Sequence, residues 1–438
     1  MNCKKDKSNL NYSLFRLDNN FQAVFRPVRG IETILVSLWV RSGGWYETKV
    51  KRGVFHFLEH VLAQGTKKYS SYLELSKKLE ELGINPKNSV GGYFSKYNWI
   101  IPKETFSNSL SLLAEYVFNL LMQMEAIERE RKIILQEYFG YWDKPINRFN
   151  HTLSESFFGK GHPYTFDALG TKESIENITK DDLIEAHTQY YQLNNILMGI
   201  VGDLEKECVS EEVNRSFKNQ RKREEIVLTD DTVSDFIKKI VFREENVGQV
   251  NFSLNFPTIG FKEETLKEKY SLAMLSYLFG RSRVSRLNLR IREKEPLSYS
   301  IGSSVRHFPQ KGVFTVGFVS SIGNSQRAIE IIKEEMETIK RSGISEEEFE
   351  GCQKRFIYRV SLSFDTIYSI ADNLMDNLGC KGRIFLPEEK KEAILNLTRD
   401  DLSETAKEVF DFDKATIGFM GNKGNLETIK NASIDKII

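Results

Sequence analysis

"GVFHFLEHVLAQGT", residues 53–66, sets two histidines four positions apart on an otherwise apolar segment, with a glutamate between them. The 438-residue chain has only six histidines. On a helix, residues i, i+3 and i+4 share a face, so His56, Glu59 and His60 project to one place. Val54, Phe55, Leu58 and Val61 are left as the packing face, and Gly65 closes the segment. Two imidazoles at this spacing can hold one divalent metal, and the carboxylate between them can take a proton from a water the metal activates. Glu59 at i+3 leans over that water, which suits a base better than a ligand. The pattern predicts metal-assisted hydrolysis. The plainer alternative is a helix with two incidental histidines.

On either side of this segment the chain alternates between strand and helix signals. "FQAVFRPV" (21–28) and "ETILVSLWVRSGG" (32–44) have strand character, the second alternating around Val36, Leu38 and Val40 before Gly43-Gly44. "SYLELSKKLEELG" (71–83) is an amphipathic helix with Gly83 past its end. "SVGGYFSKYNWIIP" (89–102) is expected to be one further strand, with Gly91-Gly92 marking a bulge or a close backbone approach. Helices are expected over 103–122, 126–142 and 180–191, and a strand in "NNILMGIVGDL" (194–204). The stretch from 205 to 235 is rich in charge and poor in apolar periodicity. Strand-then-helix patterning resumes in "GQVNFSLNFPTIGFKEETLKEKYSLAMLSYLFG" (248–280).

The two halves resemble each other faintly. "ILVSLWVRSGGW" is similar to "NFSLNFPTIGF", with Ser37 against Ser253, 216 positions apart. "ILMGIVGDLE" is similar to "ATIGFMGNKG", with Gly202 against Gly421, 219 positions apart. Two matches at nearly one offset predict a duplication. The expected fold class is α+β: two related domains, 1–216 and 238–438, each a mixed sheet packed with helices, joined by a linker over 217–237. A 50.7 kDa chain is also too long for one ordinary core.

Composition narrows the function classes. Hydrophobic residues make up 40% and charged residues 28%, ample material for globular cores. Lys+Arg 62 against Asp+Glu 61 leaves a net charge of +1, so bulk electrostatics favours neither nucleic acid nor an anionic membrane. No stretch approaches the ~18–20 apolar residues of a membrane span. The lysines of "MNCKKDKSNLNYSLFRL" have no apolar run behind them, as a secretory signal would. Cys3, Cys208, Cys352 and Cys380 are scattered, which suits reduced thiols. The expectation is a cytoplasmic protein.

A catalytic zinc takes three protein ligands and keeps one position open. "ERERKIILQE" offers Glu128, Glu130 and Glu137. Glu130 and Glu137, seven apart, lie on one helix face two turns apart. With Ile133 and Ile134 packing that helix, Glu137 stands at the edge of an apolar stretch, where a metal would remove the cost of a bare carboxylate. Taken alone, Glu137 reads first as an ordinary salt-bridged helix carboxylate. His151, His162, His187 and His307 are isolated and expected to pack or lie on the surface.

"GGWYETKVKRGVFHFLEHVLAQGTKKYS" resembles the inverted zinc-binding segment of the pitrilysin/insulinase family, and "ERERKIILQE" resembles its downstream segment. "GHPYTFDALGT" (161–171) and "GIVGD" fall where the family has similar segments. The resemblance implies one zinc per chain, held by His56, His60 and Glu137, with Glu59 as base and Glu130 as a supporting acid. "LRIREKEPLSYSIGSS" (289–304) is similar to the family segment whose arginine and tyrosine reach the scissile peptide, here Arg292 and Tyr299. By residue pattern alone Arg292 is a helix-surface charge and Tyr299 a strand aromatic. The family's substrate-pairing strand often carries an Asn-Ala pair. Here that place is assigned to Gly91, Gly92 and Tyr93, so the pocket beside the scissile bond is expected to differ. The length is that of a half-size member, similar to mitochondrial processing peptidase subunits. Four-domain relatives close a chamber within one chain, so a two-domain member is expected to dimerise, with itself or with a related subunit. The resulting expectation is a zinc endopeptidase acting on peptides or extended segments. The alternatives are a non-catalytic partner subunit that binds peptides, or a peptide-binding module with a structural zinc.

Overall fold

The alternation in "TILVSLWV" builds the centre of a sheet, but both of its faces are covered. Strand β3 (Thr33–Val40) is buried along nearly its whole length. Ile34, Val36, Leu38 and Val40 enter the main core, the face that the alternation predicts. Leu35 and Trp39 on the other face pack in a second cluster with Leu374 and Met375. These come from helix Ile367–Lys381, far along the chain. The computed structural model describes residues 12–16, 21–220 and 236–434.

The first sheet has six strands in the order β1-β2-β6-β3-β5-β4, with β1 (Ser13–Arg16), β2 (Gln22–Pro27), β4 (Asn85–Val90), β5 (Ser95–Pro102) and β6 (Ile196–Gly202). The second has five, β7-β11-β8-β10-β9, with β7 (Lys239–Glu244), β8 (Val250–Ile259), β9 (Ser300–His307), β10 (Lys311–Ser320) and β11 (Thr416–Gly421). Each sheet has one parallel pair, β2·β6 and β7·β11, and the remaining neighbours are antiparallel. Apart from β1, the two sheets have one topology. The faint repeat is a register: Ser37 pairs with Gly199, and Ser253 pairs with Gly418. Those partners are again 219 positions apart. A third match at that offset lies in "NITKDDL" (177–183) and "NLTRDDL" (396–402), where Thr179 and Thr398 each close a capping box with an aspartate.

By packing, the described residues fall into two units. One takes those within 1–143, 166–231 and 363–386, and the other those within 144–165, 232–362 and 387–438. The exchange of segments is reciprocal. Helix Ile367–Lys381 covers the outer face of the first sheet, while helix Pro145–Phe158 packs on β7 and β11 of the second. A glycine makes room in each case. A Cβ at Gly199 would strike Met375, and one at Gly418 would strike Leu153 and Phe149. Of the expected linker 217–237, residues 221–235 lie outside the described residues. Phe217 ends helix Lys206–Phe217 and is buried in the first core. Among the described residues, no helix is long and apolar enough to cross a membrane.

One local expectation is corrected. Residues 89–102 do not form a single strand: β4 and β5 are two arms of a hairpin, and Gly91-Gly92 sits in its turn. The Gly91 N–H donates to Phe94 O, and the Gly91 and Gly92 carbonyls accept from the N–H groups of Gly44 and Trp45. The glycine pair serves a contact between two turns, which the one-dimensional pattern does not separate from a bulge.

Candidate metal centre

Helix Val54–Leu62 buries Val54, Phe55, Phe57, Leu58, Val61 and Leu62, and so turns His56, Glu59 and His60 to its remaining face. Their donor atoms lie within 4.8 Å of one another. Helix Met124–Trp142 packs against it, with Ala126, Ile127, Glu130 and Ile134 buried. Ile133, expected to pack, is instead 39% exposed, because Ile134 alone of the pair lies on the stripe with Ile127.

This second helix brings two carboxylates to the histidines. Glu137 Oε2 lies 3.7 Å from His56 Nε2 and 3.6 Å from His60 Nε2. Glu130 Oε2 lies 3.1 Å from His60 Nδ1 and is nearly buried, its other oxygen 3.6 Å from Arg129 Nε. With Glu130 accepting from the Nδ1–H of His60, the lone pair of that ring is left on Nε2, facing Glu137. Burial, reinforced by the neighbouring His60, pushes the His56 imidazole down to about 4, so at neutral pH it is an uncharged donor of an electron pair. His56 Nδ1 is buried with no hydrogen-bond partner among the described residues.

The donor set fits a zinc ion. Ligand atoms around tetrahedral zinc stand about 3.3–3.4 Å apart, given Zn–N lengths near 2.05 Å. The separations of 3.6–3.7 Å between Glu137 and the two Nε2 atoms need only a small contraction. Glu137, its side chain 45% exposed, presents one carboxylate oxygen to both rings at once. Burial also holds the Glu59 carboxyl above the ordinary range; His60 pulls it back, and Glu137 and Glu130 push it up. A carboxyl raised in this way holds a proton more readily, as a general base must after it has taken one.

The other assigned residues lie elsewhere. Gly91, Gly92 and Tyr93 occupy the hairpin turn, where Tyr93 packs its ring on Trp45, Tyr46 and Phe94. Arg292 and Tyr299 belong to the second unit. The Arg292 guanidinium lies 4.8 Å over the Tyr299 ring, and Tyr299 is 84% exposed. Arg292 sits on a widened π-type turn, Asn288–Lys294, a geometry over-represented at functional sites. The four isolated histidines have neighbours outside the cluster: His151 beside Glu155, His162 against Phe158, His187 donating from Nε2 to Val117 O, and His307 beside Glu264.

Sequence reasoning missed Asn88. It stands on β4, the last strand of its sheet, whose outer edge pairs with no strand among the described residues. This strand lies beside helix Val54–Leu62. Asn88 Nδ2 donates to Tyr116 Oη at 3.1 Å, and its Oδ1 is buried without a hydrogen-bond partner among the described residues. The signal was present as Asn88-Ser89, an asparagine followed by a small residue, three positions before Gly91.

Comparisons with known proteins bear on the family and the fold. Residues 29–164 match the family model described as Insulinase (Peptidase family M16), and residues 177–356 match Peptidase M16 inactive domain. An uncharacterized zinc protease of Rickettsia bellii is 25% identical over 403 residues, covering 91% of this chain and 95% of that one. A probable inactive metalloprotease of Bacillus subtilis, YmfF, is 24% identical over 371 residues, covering 80% and 85%. Among solved structures, a protease from Helicobacter pylori superposes with a TM-score of 0.84 at 21% identity, over 94% of this chain and 100% of that one.

Proposed function

Because the chain belongs to the pitrilysin/insulinase family of M16 peptidases, as a half-size member, we propose that it is a zinc-dependent endopeptidase that hydrolyses peptides or extended protein segments. The observation that carries this reading is the convergence of His56 Nε2, His60 Nε2 and Glu137 Oε2, with Glu59 beside them. A bound zinc supplies Lewis-acid chemistry, polarising the peptide carbonyl and acidifying a water. His56, His60 and Glu137 would hold it, and Glu130 keeps the His60 ring in the tautomer that leaves Nε2 free. Glu59 takes the proton of the attacking water on its carboxylate and returns it to the leaving amine. The outer edge of β4, which pairs with no strand among the described residues, offers main-chain groups to an extended substrate.

Arg292 and Tyr299 complete the site in this reading, from the partner copy in a homodimer. A guanidinium and a phenol suit the tetrahedral oxyanion and the substrate backbone. Mixing an inactive Glu59→Gln protein with an inactive Arg292→Ala protein should restore cleavage once subunits exchange. A mixture that stays inactive after exchange, seen by mass spectrometry, removes the trans arrangement. A heterodimer with a related subunit would need that second protein for activity.

A non-catalytic partner subunit is the second reading, favoured by the relative described as inactive. The complete donor set weighs against it. Profiling a peptide library by mass spectrometry, with and without a chelator, decides between the two. Chelator-sensitive cleavage is expected, with about one zinc per chain by elemental analysis, lost in His60→Ala. Full zinc in that variant would end the ligand assignment.

A further inference from the structure

The two imidazoles of the cluster are not held alike. His60 has its Nδ1 fixed by Glu130 at 3.1 Å. His56 has no such support for its ring, since Nδ1 is buried without a hydrogen-bond partner among the described residues. It is also the third residue of helix Val54–Leu62, in the turn where helices fray first. The position of its Nε2 therefore depends on how firmly the backbone of that first turn is held.

That turn has no cap of its own. The N-cap residue is Gly53, at φ +84, with no side chain to offer. No larger residue can stand there, because a Cβ would come within 2.6 Å of Leu169 O. The Val54 N–H donates to Lys51 O, and two further N–H groups of the helix start are met by one side chain. Glu47 Oε2 accepts from the Gly53 N–H at 2.7 Å, and Oε1 accepts from the Phe55 N–H at 3.2 Å. Both oxygens of one carboxylate are thus spent on the helix start. Glu47 is only 7% exposed, and a buried carboxylate is unfavourable unless it is hydrogen-bonded. Burial pushes the Glu47 carboxyl up to about 7, and the two N–H donors, with Arg52, offset only part of that. Ser174 Oγ secures the same corner by donating to Arg52 O at 2.6 Å.

We infer that Glu47 is a positioning residue for His56, its buried carboxylate clamping the Gly53 and Phe55 N–H groups so that the first helical turn presents the imidazole to the metal site. Glu47 does through the backbone what Glu130 does through the ring. The consequence for zinc rests on the peptidase reading above, whereas the clamp itself does not.

Glu47→Gln tests the clamp, because a glutamine keeps one acceptor oxygen and turns an NH2 toward the other N–H. The protein should fold, and its zinc affinity, read by chelator competition, should fall about 10–100-fold, as for other partners of metal ligands. Amide exchange at Phe55 and His56 in the metal-free protein should quicken. In a His56→Ala background, Glu47→Gln should change the residual zinc affinity less than about twofold, while Glu130→Gln should still weaken it. Wild-type affinity in Glu47→Gln, or an equal loss in both backgrounds, overturns the inference. If the unmutated protein binds no zinc, the metal reading fails separately, and the amide exchange decides: faster exchange supports the clamp and unchanged exchange refutes it. Should the glutamine variant not fold, Glu47→Asp, one methylene too short to span both N–H groups, gives the same measurements.

Discussion

The two units share strand order and register, yet among the described residues only one carries a cluster of metal-binding side chains. Carrying the 216-residue offset through to helix Leu266–Ser276 sets Leu272 against His56, Leu275 against Glu59 and Ser276 against His60. All three are buried, Leu275 completely. At this offset two leucines and a serine stand against two histidines and a glutamate. Strand pairing tolerates the difference because it is carried by the backbone, while the helix beside the sheet chooses what it presents. The connection before the helix differs too. In the first unit 13 residues, 41–53, join β3 to the helix and include Glu47; in the second only 6 residues, 260–265, do so. Glu47, in the first of these connections, accepts from the N–H groups of Gly53 and Phe55.

The largest effect expected from this contrast is at Glu59. Glu59→Gln should keep zinc and peptide binding while turnover falls by about 10²–10⁴-fold. Near-normal cleavage by a zinc-loaded variant would show that the polar helix lacks the role that separates it from its counterpart. At the matching position, Leu275→Ala should leave zinc content unchanged and lower stability by about 2–5 kcal/mol, read by urea unfolding. Loss of zinc from that variant would mean that the units are not chemically separate.

His187 offers a third contrast, since the 219-residue offset sets Ala406 against it. Burial pushes the His187 imidazole down to about 4, and its hydrogen bond to Val117 O offsets part of that. As pH falls from about 6.5, the unfolded chain binds a proton there that the folded one refuses. The contribution is therefore complete above about 6.5 and is lost as pH falls toward 4, by roughly 3 kcal/mol. All four tryptophans, Trp39, Trp45, Trp99 and Trp142, lie in the first unit, so their fluorescence reports its unfolding alone. In metal-free protein the acid slope of that signal should flatten in His187→Gln, and an unchanged slope would remove the assignment. The smallest effect is expected at Glu130, where Glu130→Gln should weaken zinc about 10–100-fold in chelator competition without lowering its stoichiometry at saturation. No change would mean that the His60 ring needs no partner, and the difference drawn above between the two imidazoles would disappear.

Much of this was legible along the chain. A helix that buries Val54, Phe55, Leu58 and Val61 must turn His56, Glu59 and His60 the same way, since 3.6-residue periodicity is a local property. The seven-residue spacing of Glu130 and Glu137 follows from the same geometry. The duplication was visible because Ser37, Ser253, Gly202 and Gly421 stand on strands whose registers are repeated. Other features depend on segments far apart in sequence, and the sequence signals for them were ambiguous. The turn at Gly91-Gly92 exists because Gly44 and Trp45 approach it, and only that turn places Asn88 on the sheet edge. The reciprocal exchange of helices Pro145–Phe158 and Ile367–Lys381 depends on which sheet face each one meets, since a helix's apolar stripe says that it must be buried but not against what. The sequence by itself therefore determined the metal helix, the spacing of its acids and the repeat, all set by periodicity within one element. Tertiary structure alone decided that Glu130 turns to His60, that Glu47 caps Gly53 and Phe55, and that each sheet is covered by a helix from the other half, because each needs two distant surfaces to fit.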